Sequence, residues 1–249
     1  MNKVNPHISV DCVVFGFDFT ELKVLLIERK FLSLENVQTQ GLLNYDLKLP
    51  GDLIQDNEDL NSSARRILEE LTGIKNIYLK QFNVFDSPGR IKENKDKNWL
   101  EETKNIKVER IISVAFYSLI RFDETNQFQM MIKNKAKWTP LSELGDLAFD
   151  HNEIVQKALD SLRNELKTEP VAFELLPELF TINQLQKLYE VILGVKIDNR
   201  NFRKKVYSQP YIIATDKKET GVAHKPAKYF TFDRKKYHSY QKNNMVYSI

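Results

Sequence analysis

Apolar and polar positions in the first two thirds of the chain change repeatedly between the short period of strands and the longer period of helices. β-Branched and aromatic residues fill 7–17 and 22–29, which predicts two strands joined by a turn. Further strands are predicted at 47–49, 77–85, 111–122 and just before Pro140. Interspersed helices are expected to cover a mixed sheet, an α+β arrangement.

Helical spacing identifies the elements between these strands. Apolar residues over 60–71 recur every three to four positions and Gly73 follows, which predicts a helix. A second, surface helix is predicted at 152–166. Candidate caps of the first helix are Asn61, Ser62 and Ser63. We expect an acidic loop at 51–59, and the charged segment 90–110 is too polar for a core, so it is interpreted as a disordered or dimer-contacting insertion.

The C-terminal part has the pattern of two short helices joined by a turn. Thr181 and Gln184 fit a capping box, and the helix that follows ends at Gly194. Asp198 can cap a second helix at 199–208. This spacing predicts a helix-turn-helix whose second helix enters the major groove of DNA.

A first helix around 172–177 and a strand pair at 211–215 and 228–233 complete the plan of a winged helix. We expect the domains to divide near Pro170, into residues 1–168 and 169–249.

Composition excludes several classes of protein. The chain has 249 residues, 42% of them hydrophobic, enough for an ordinary core. One cysteine, Cys12, rules out an internal disulfide and favours a reducing, cytoplasmic setting. The longest clean apolar stretch, 111–120, is half a membrane span, so no membrane partner is expected. The histidines lack metal-ligand spacing, so neither a metal nor a cofactor is predicted.

The formal net charge of +3 conceals a segregation along the chain. From Val195 onward there are 13 basic and four acidic residues, a balance of +9, whereas the preceding 194 residues carry −6. Such asymmetry favours a polyanionic partner for the C-terminal part, although a solvated basic face would give the same count. An RNA-binding protein is not favoured, because the basic segment lacks an aromatic stacking motif.

The second helix of the predicted helix-turn-helix has two distinct faces. Phe202 and Val206 share one face and should anchor it, while Arg200 and Lys204 lie opposite. Arginine can pair with guanine, asparagine with adenine, and lysine can neutralise phosphate. The residues predicted to contact double-stranded operator DNA are Thr181, Gln184, Arg200, Asn201, Arg203, Lys204, Tyr207, Lys225 and Lys228.

Residues 52–74 resemble a Nudix box with departures. Aligned on Gly73, the positions of Glu58, Arg66 and Glu70 match the family pattern, but Asp52 replaces its glycine. Ile67 and Leu71 stand where the box has two of its three helix carboxylates. One carboxylate between two aliphatic groups is a poor ligand set for Mg²⁺, so a catalytically inactive domain is expected.

The whole chain resembles the Nudix-related transcriptional regulators of bacteria, in which a Nudix-like domain binds an effector and a winged helix binds DNA. The resemblance is carried by the two regions above and by the segments 86–90, 110–113, 149–152 and 173–189. It implies a Nudix-like mixed α/β/α sandwich followed by a winged helix, in a homodimer that acts as a repressor or an activator. The predicted effector-binding residues are Arg29, Lys48, Asp52, Glu58, Glu70 and Arg90.

The sequence determines the effector less strictly than it determines the domain arrangement. In this family some members respond to ADP-ribose, and a branch with degenerate boxes responds to L-arabinose. Since the incomplete carboxylate face argues against a metal-bound diphosphate, the sequence favours a small sugar. An ADP-ribose-responsive regulator of NAD metabolism and an active Mg²⁺-dependent ADP-ribose or nucleotide-sugar pyrophosphatase are the alternatives.

Overall fold

A computed structural model describes residues 3–29, 46–75, 77–91, 93–105, 107, 110–121, 136–223 and 225–242. Their contacts define two compact units, one comprising 1–15, 23–119 and 123–158 and the other 16–22, 120–122 and 159–249. The division at 158/159 falls inside a helix, upstream of the boundary predicted at 168/169, which stays a prediction.

The first unit is built on a seven-stranded sheet in which β1 (Val4–Phe17), β2 (Leu22–Arg29) and β6 (Ile112–Arg121) are central. Residues 10–17 of β1 are buried without alternation, as expected for a strand covered on both faces. The described strands follow the order β3 (Asp46–Lys48), β2, β1, β6, β5 (Lys80–Phe85). In addition, β4 (Gly51–Gln55) pairs with β1 and β7 (Ala136–Pro140) pairs with β2.

Helix α1 (Leu60–Thr72) confirms the predicted helix but not its predicted caps. Asp59 is the N-cap and its carboxylate accepts from the Ser62 amide at 2.7 Å, while Gly73 ends the helix with φ 78°. Ala64, Ile67 and Leu68 are buried. The other long helix of this part, α3 (His151–Glu165), matches the predicted surface helix.

Two predictions about loops are wrong. The expected acidic loop at 51–59 contains β4, because its backbone pairs with β1 in the register Asp11 opposite Gly51. The segment 90–110 contains α2 (Asn94–Lys104), and it does reach the core, since Asp96 and Leu100 are buried. In both cases long-range contacts outweigh the polar local sequence.

The second unit has the fold of a winged helix. Helix α4 (Ile182–Leu193) precedes α5 (Asn199–Tyr207), and β8 (Phe180–Thr181), β10 (Lys228–Phe232) and β9 (Ile212–Lys218) form an antiparallel sheet in that order. These bounds confirm the predicted helix-turn-helix and strand pair.

Two features of this unit differ from expectation. The first helix expected at 172–177 is only a 3₁₀ turn, Val171–Glu174, whose Phe173 ring stacks on Phe232 at 4.2 Å. A helix that the sequence did not predict, α6 (Arg234–Lys242), follows the sheet and is anchored by buried Tyr237.

Candidate effector cavity and nucleic-acid interface

The first unit contains a cavity of about 270 Å³. Its walls come from β1, the end of β2, β3, β4, the last turn of α1, helix α2 and the start of α3. Polar groups converge on a largely aliphatic and aromatic surface, the usual composition of a small-molecule site. The lining residues include Asp11, Lys48, Gly51, Asp52, Leu53, Leu71, Arg90, Trp99, Leu100, Thr103, Lys104, Ile111, Phe149 and His151.

Lys48 is the most deeply buried cation of the lining. It is 5% exposed, and its Nζ donates to the carbonyl oxygens of Gly51 at 2.7 Å and Leu49 at 3.2 Å. Burial lowers the pKa of Lys48 to about 8. The ammonium is therefore held in place by backbone dipoles at the end of β3.

Asp52 and Arg90 also lie in the lining, each in an ion pair. The Asp52 carboxylate is 2.5 Å from Nζ of Lys104. The residue that replaces the Nudix glycine therefore connects β4 to helix α2 by an ion pair. Arg90 donates from Nη2 and Nε to both carboxylate oxygens of Asp150, at 2.6 and 2.9 Å. These pairs connect two predicted effector residues to segments distant in sequence.

A buried polar cluster forms the floor of the cavity. Asp11 accepts a hydrogen bond from Ser113 Oγ and lies 3.5 Å from Nε2 of His151. The Leu49 amide donates to Nδ1 of His151 at 2.9 Å, which assigns the ring proton to Nε2, towards Asp11. Burial lowers the pKa of His151 to about 4 and keeps the ring neutral. Gly51 must stay a glycine here, because a Cβ would lie 1.9 Å from Asp11 Oδ1.

Arg29 lies beside the cavity, behind two aromatic lining residues. Its guanidinium carbon is 5.3 Å from the Trp99 ring centre and 5.0 Å from that of Phe149. It donates to Asp96 and Asp46 at 2.6 Å each. Arg29 thus supports the aromatic wall and ties α2 to the sheet.

Of the predicted effector-binding residues, Glu58 and Glu70 lie outside the lining of this cavity, and their role stays a prediction. Arg66 Nε donates to Glu58 at 2.6 Å and Arg66 Nη1 donates to Glu70 at 3.1 Å. The Arg66 hydrogen bond holds the pKa of Glu58 down at about 2. Glu58 links α1 to β4, since it accepts from Arg66 and from the Gln55 amide, whereas Glu70 pairs with Arg66 within α1.

Helix α2 supplies cavity residues that the sequence analysis missed. Trp99, Leu100, Thr103 and Lys104 all line the cavity, and Trp99 packs edge-on against Phe149 at 6.2 Å. Asp96, Leu100 and Thr103 are spaced at i, i+4 and i+7, which places them on one face of a helix. This spacing in the sequence could have indicated that the face points inward. The high charge of the segment concealed it.

Helix α5 presents the predicted recognition face. Phe202 and Val206 are buried, whereas Arg200, Asn201 and Lys204 are exposed. Tyr207 is 58% exposed, with its ring 5.8 Å from that of Phe230. The N-cap Asp198 accepts from the Asn201 amide at 2.8 Å and fixes the start of the helix.

Arg203 is partly engaged within the helix-turn-helix. Its Nε donates to Asn199 at 2.8 Å and its Nη2 donates to Asn183 at 2.7 Å, which bridges α5 to α4. On the hairpin that follows, Lys225 and Lys228 are exposed. Lys225 and Lys228 therefore belong to the same unit as the exposed face of α5.

Thr181 and Gln184 form the capping box that the sequence predicted. The Gln184 amide donates to Thr181 Oγ1 at 3.2 Å, and the Thr181 amide donates to Gln184 Oε1 at 2.8 Å. Thr181 is 2% exposed. Both side chains are therefore used to position α4, and a role on DNA stays a prediction.

Residues 5–160 match the NUDIX domain family, and residues 172–232 match the NrtR DNA-binding winged helix domain. The chain therefore belongs to the NUDIX family, in the NrtR-like arrangement of a Nudix domain followed by a winged helix.

Relatives with this arrangement cover most of the chain. An ADPR-responsive transcriptional repressor of Acinetobacter baylyi is 29% identical over 236 residues, 92% of this chain and 82% of the relative. The crystal structure of Shewanella oneidensis NrtR with a 27mer DNA has a TM-score of 0.69 at 25% identity, covering 92% of this chain and 94% of that chain. A MutT/nudix family protein from Enterococcus faecalis shares the fold, with a TM-score of 0.64 at 23% identity over 92% of this chain and 87% of that chain.

Within the described ranges, no helix is both long enough and apolar enough to cross a membrane.

Proposed function

We propose that this protein is a transcriptional regulator that binds operator DNA through its winged helix and ADP-ribose through the cavity of its Nudix domain. The observation that carries the proposal is helix α5, whose Arg200, Asn201 and Lys204 are exposed inside a segment matching a DNA-binding winged helix. A helix that buries Phe202 and Val206 and exposes this set can lie in a major groove.

ADP-ribose is favoured over the sugar predicted from the sequence. The comparisons do not support an L-arabinose effector, while the Acinetobacter relative, similar over 92% of this chain, is named as ADPR-responsive. The argument for a sugar was that a diphosphate needs metal-bound carboxylates. Lys48, Arg90 and Lys104 beside the cavity remove that argument, because cationic side chains can bind a diphosphate directly.

A pyrophosphatase activity is not favoured by the donor set on α1. Ile67 is fully buried, Leu71 lines the cavity and the Glu70 carboxylate pairs with Arg66. This face does not fit a Mg²⁺ ion, which requires several oxygen ligands in octahedral geometry. In the described residues no group of three or more His, Cys, Asp or Glu is arranged to hold a metal.

The DNA-binding half is tested by operator titrations over a salt series. Arg200→Ala should weaken binding by about 1–3 kcal/mol at one base position, and Lys204→Ala should lower the salt slope by about one. Lys157→Ala is a matched control, because that lysine is exposed in the first unit. Affinity that is insensitive to salt and to both α5 substitutions would exclude this surface.

The effector half is tested by thermal unfolding and operator release with ADP-ribose, ADP, ribose and L-arabinose. A ligand that binds only the folded state raises the unfolding temperature by mass action. ADP-ribose should stabilise the chain and change its operator affinity. A response to L-arabinose alone would reverse the assignment, and Mg²⁺-dependent release of AMP from ADP-ribose would establish an enzyme instead.

A further inference from the structure

The Lys48 ammonium has one N–H donor that its two backbone acceptors do not use. An ammonium group carries three N–H donors, and the carbonyls of Leu49 and Gly51 accept two of them. The side chain lines the cavity, with Nζ 5.8 Å from the centre of the Trp99 ring. A ligand in the cavity can therefore approach a cation that the protein already holds in a fixed position.

The other cations at the cavity are already neutralised by carboxylates. Lys104 pairs with Asp52 at 2.5 Å, Arg90 with Asp150 at 2.6 Å, and Arg29 with Asp96 at 2.6 Å. Lys48 differs, because no carboxylate oxygen of the described ranges lies within 4.0 Å of its Nζ. A buried charge without a counterion is costly, so an anion in the cavity would relieve a penalty that the folded chain carries.

We propose that the Lys48 ammonium binds the diphosphate of the effector and is the residue that selects a phosphorylated ligand over a neutral sugar. The inference rests on the proposed function, since it assumes that the cavity is the effector site. A compact point charge suits phosphoryl oxygens, and the apolar walls at Leu53, Trp99 and Leu100 lower the polarity around the contact, which strengthens an ionic hydrogen bond.

The charged groups around Lys48 support its proposed role as the diphosphate ligand. Burial lowers its pKa to about 8, against the opposing effect of Asp11 and Asp52 and with a further lowering by Lys104 and Arg29. Glu28, Arg90 and neutral His151 complete the charged and titratable lining. A bound diphosphate adds negative charge beside the amine and raises its pKa, so binding at pH 8.5 takes up a proton.

The test compares ligands and variants of the full chain by calorimetry. ADP-ribose, inorganic pyrophosphate and ribose are titrated into the wild type, Lys48→Met and Lys48→Gln. Gln retains N–H donors for the two carbonyls without the charge, and thermal unfolding checks that each variant is folded. Lys95→Met is the control, because Lys95 is paired with Asp46 and Glu93 outside the lining.

Both Lys48 variants should lose about 10- to 100-fold in ADP-ribose affinity, while ribose binding and the Lys95 variant stay unchanged. Titration in two buffers of different ionisation enthalpy should show proton uptake at pH 8.5 in the wild type and none in either Lys48 variant. Equal ADP-ribose affinity in wild type and Lys48→Gln would overturn the role of Lys48 and leave the effector intact.

The experiment can reject the proposed effector independently of the proposed role of Lys48. Binding of pyrophosphate that depends on Lys48, without binding of ADP-ribose, would support the lysine and reject the effector. Failure of every phosphorylated ligand to bind the wild type would overturn both.

Discussion

Two ionisable residues of the first unit, His151 in the cavity lining and Glu58 outside it, are each fixed in one charge state by particular neighbours. His151 is neutral because it is buried and accepts a hydrogen bond from the Leu49 amide. Glu58 is ionised because Arg66, Ser63 and the Gln55 amide donate to it. The two residues therefore make stability depend on pH in different windows.

His151 should make the chain less stable as the pH falls from about 6.5 to about 4. Its pKa is lowered from 6.5 to about 4, so the unfolded chain binds the proton first and stability present above pH 6.5 is lost over that window. Urea unfolding at several pH values measures the slope. In His151→Gln, about 3 kcal/mol of this dependence should disappear, at about 1.4 kcal/mol per pKa unit. An unchanged slope would show that another group causes the pH dependence.

Glu58→Gln should destabilise the first unit by about 1–3 kcal/mol at pH 7, because Arg66 loses a charged partner. The pKa of Glu58 is lowered from 4.5 to about 2, so its contribution is present above pH 4.5 and is lost as the pH falls towards 2. Unfolding curves of wild type and variant should converge in that range. Glu70→Gln, at a more exposed partner of Arg66, is the control and should cost less.

At the scale of elements, the sequence predicts the helices and turns that depend on neighbouring residues, but not the elements that depend on long-range contacts. The capping box of α4, the Gly194 stop and the buried pair of α5 depend on neighbouring residues, and the sequence predicts them correctly. Strand β4 was missed because it is short, follows Pro50 and leads into an acidic turn, so only its pairing with β1 defines it as a strand.

Helices with few buried residues were also missed. Only Asp96 and Leu100 of α2 are buried, and α6 begins with three cations where the helix dipole disfavours them. Long-range contacts stabilise both helices, α2 against the sheet and α6 against Tyr211. The local signal of α2, the inward spacing of Asp96, Leu100 and Thr103, is concealed by the charge of that segment. Of the residues that line the cavity, Lys48, Asp52 and Arg90 were predicted from their position near the Nudix box, whereas Trp99 and Lys104 of α2 were not.

Thr181→Ala should destabilise the second unit by about 1 kcal/mol, since it removes the cap of α4. Thr181→Ser keeps the hydroxyl and is the matched control. Urea unfolding gives the stability and operator titration gives the affinity at the same temperature. If Thr181 only positions α4, operator affinity of the folded variant should change little; a large loss would favour direct contact with DNA.

At the scale of the whole molecule, the net charge of the C-terminal part suits its proposed partner, DNA, whereas the anionic effector depends on local cations of the cavity, because the first part is acidic overall. Residues 195–249 carry +9 and the rest carries −6, so the region of high positive potential is confined to the proposed reader of DNA. A homodimer, which we propose from the family resemblance, would present two such regions to one duplex.

Two half-sites should therefore be required on the operator, about 10 base pairs apart or a multiple of this spacing. Inserting about five base pairs between them places the half-sites on opposite sides of the duplex and should reduce affinity by more than tenfold, whereas inserting about ten should largely restore it. Light scattering should give the mass of a dimer of the 29.2 kDa chain. Equal affinity for all three operators would argue for binding as a monomer.

Helix α2 lies in the chain between β5 and β6, two strands that pair antiparallel from Phe85 opposite Ser113. Its attachment points are therefore a fixed pair of neighbouring strands, while its side chains form one wall of the cavity. The connection between these strands is therefore the part of the cavity wall that can change while the two strands stay paired. Replacing α2 with a helix of different lining residues should change which small molecule the cavity accepts, provided that the new helix keeps the contacts of Asp96 with Arg29 and of Leu100 with Leu53 and Ile111.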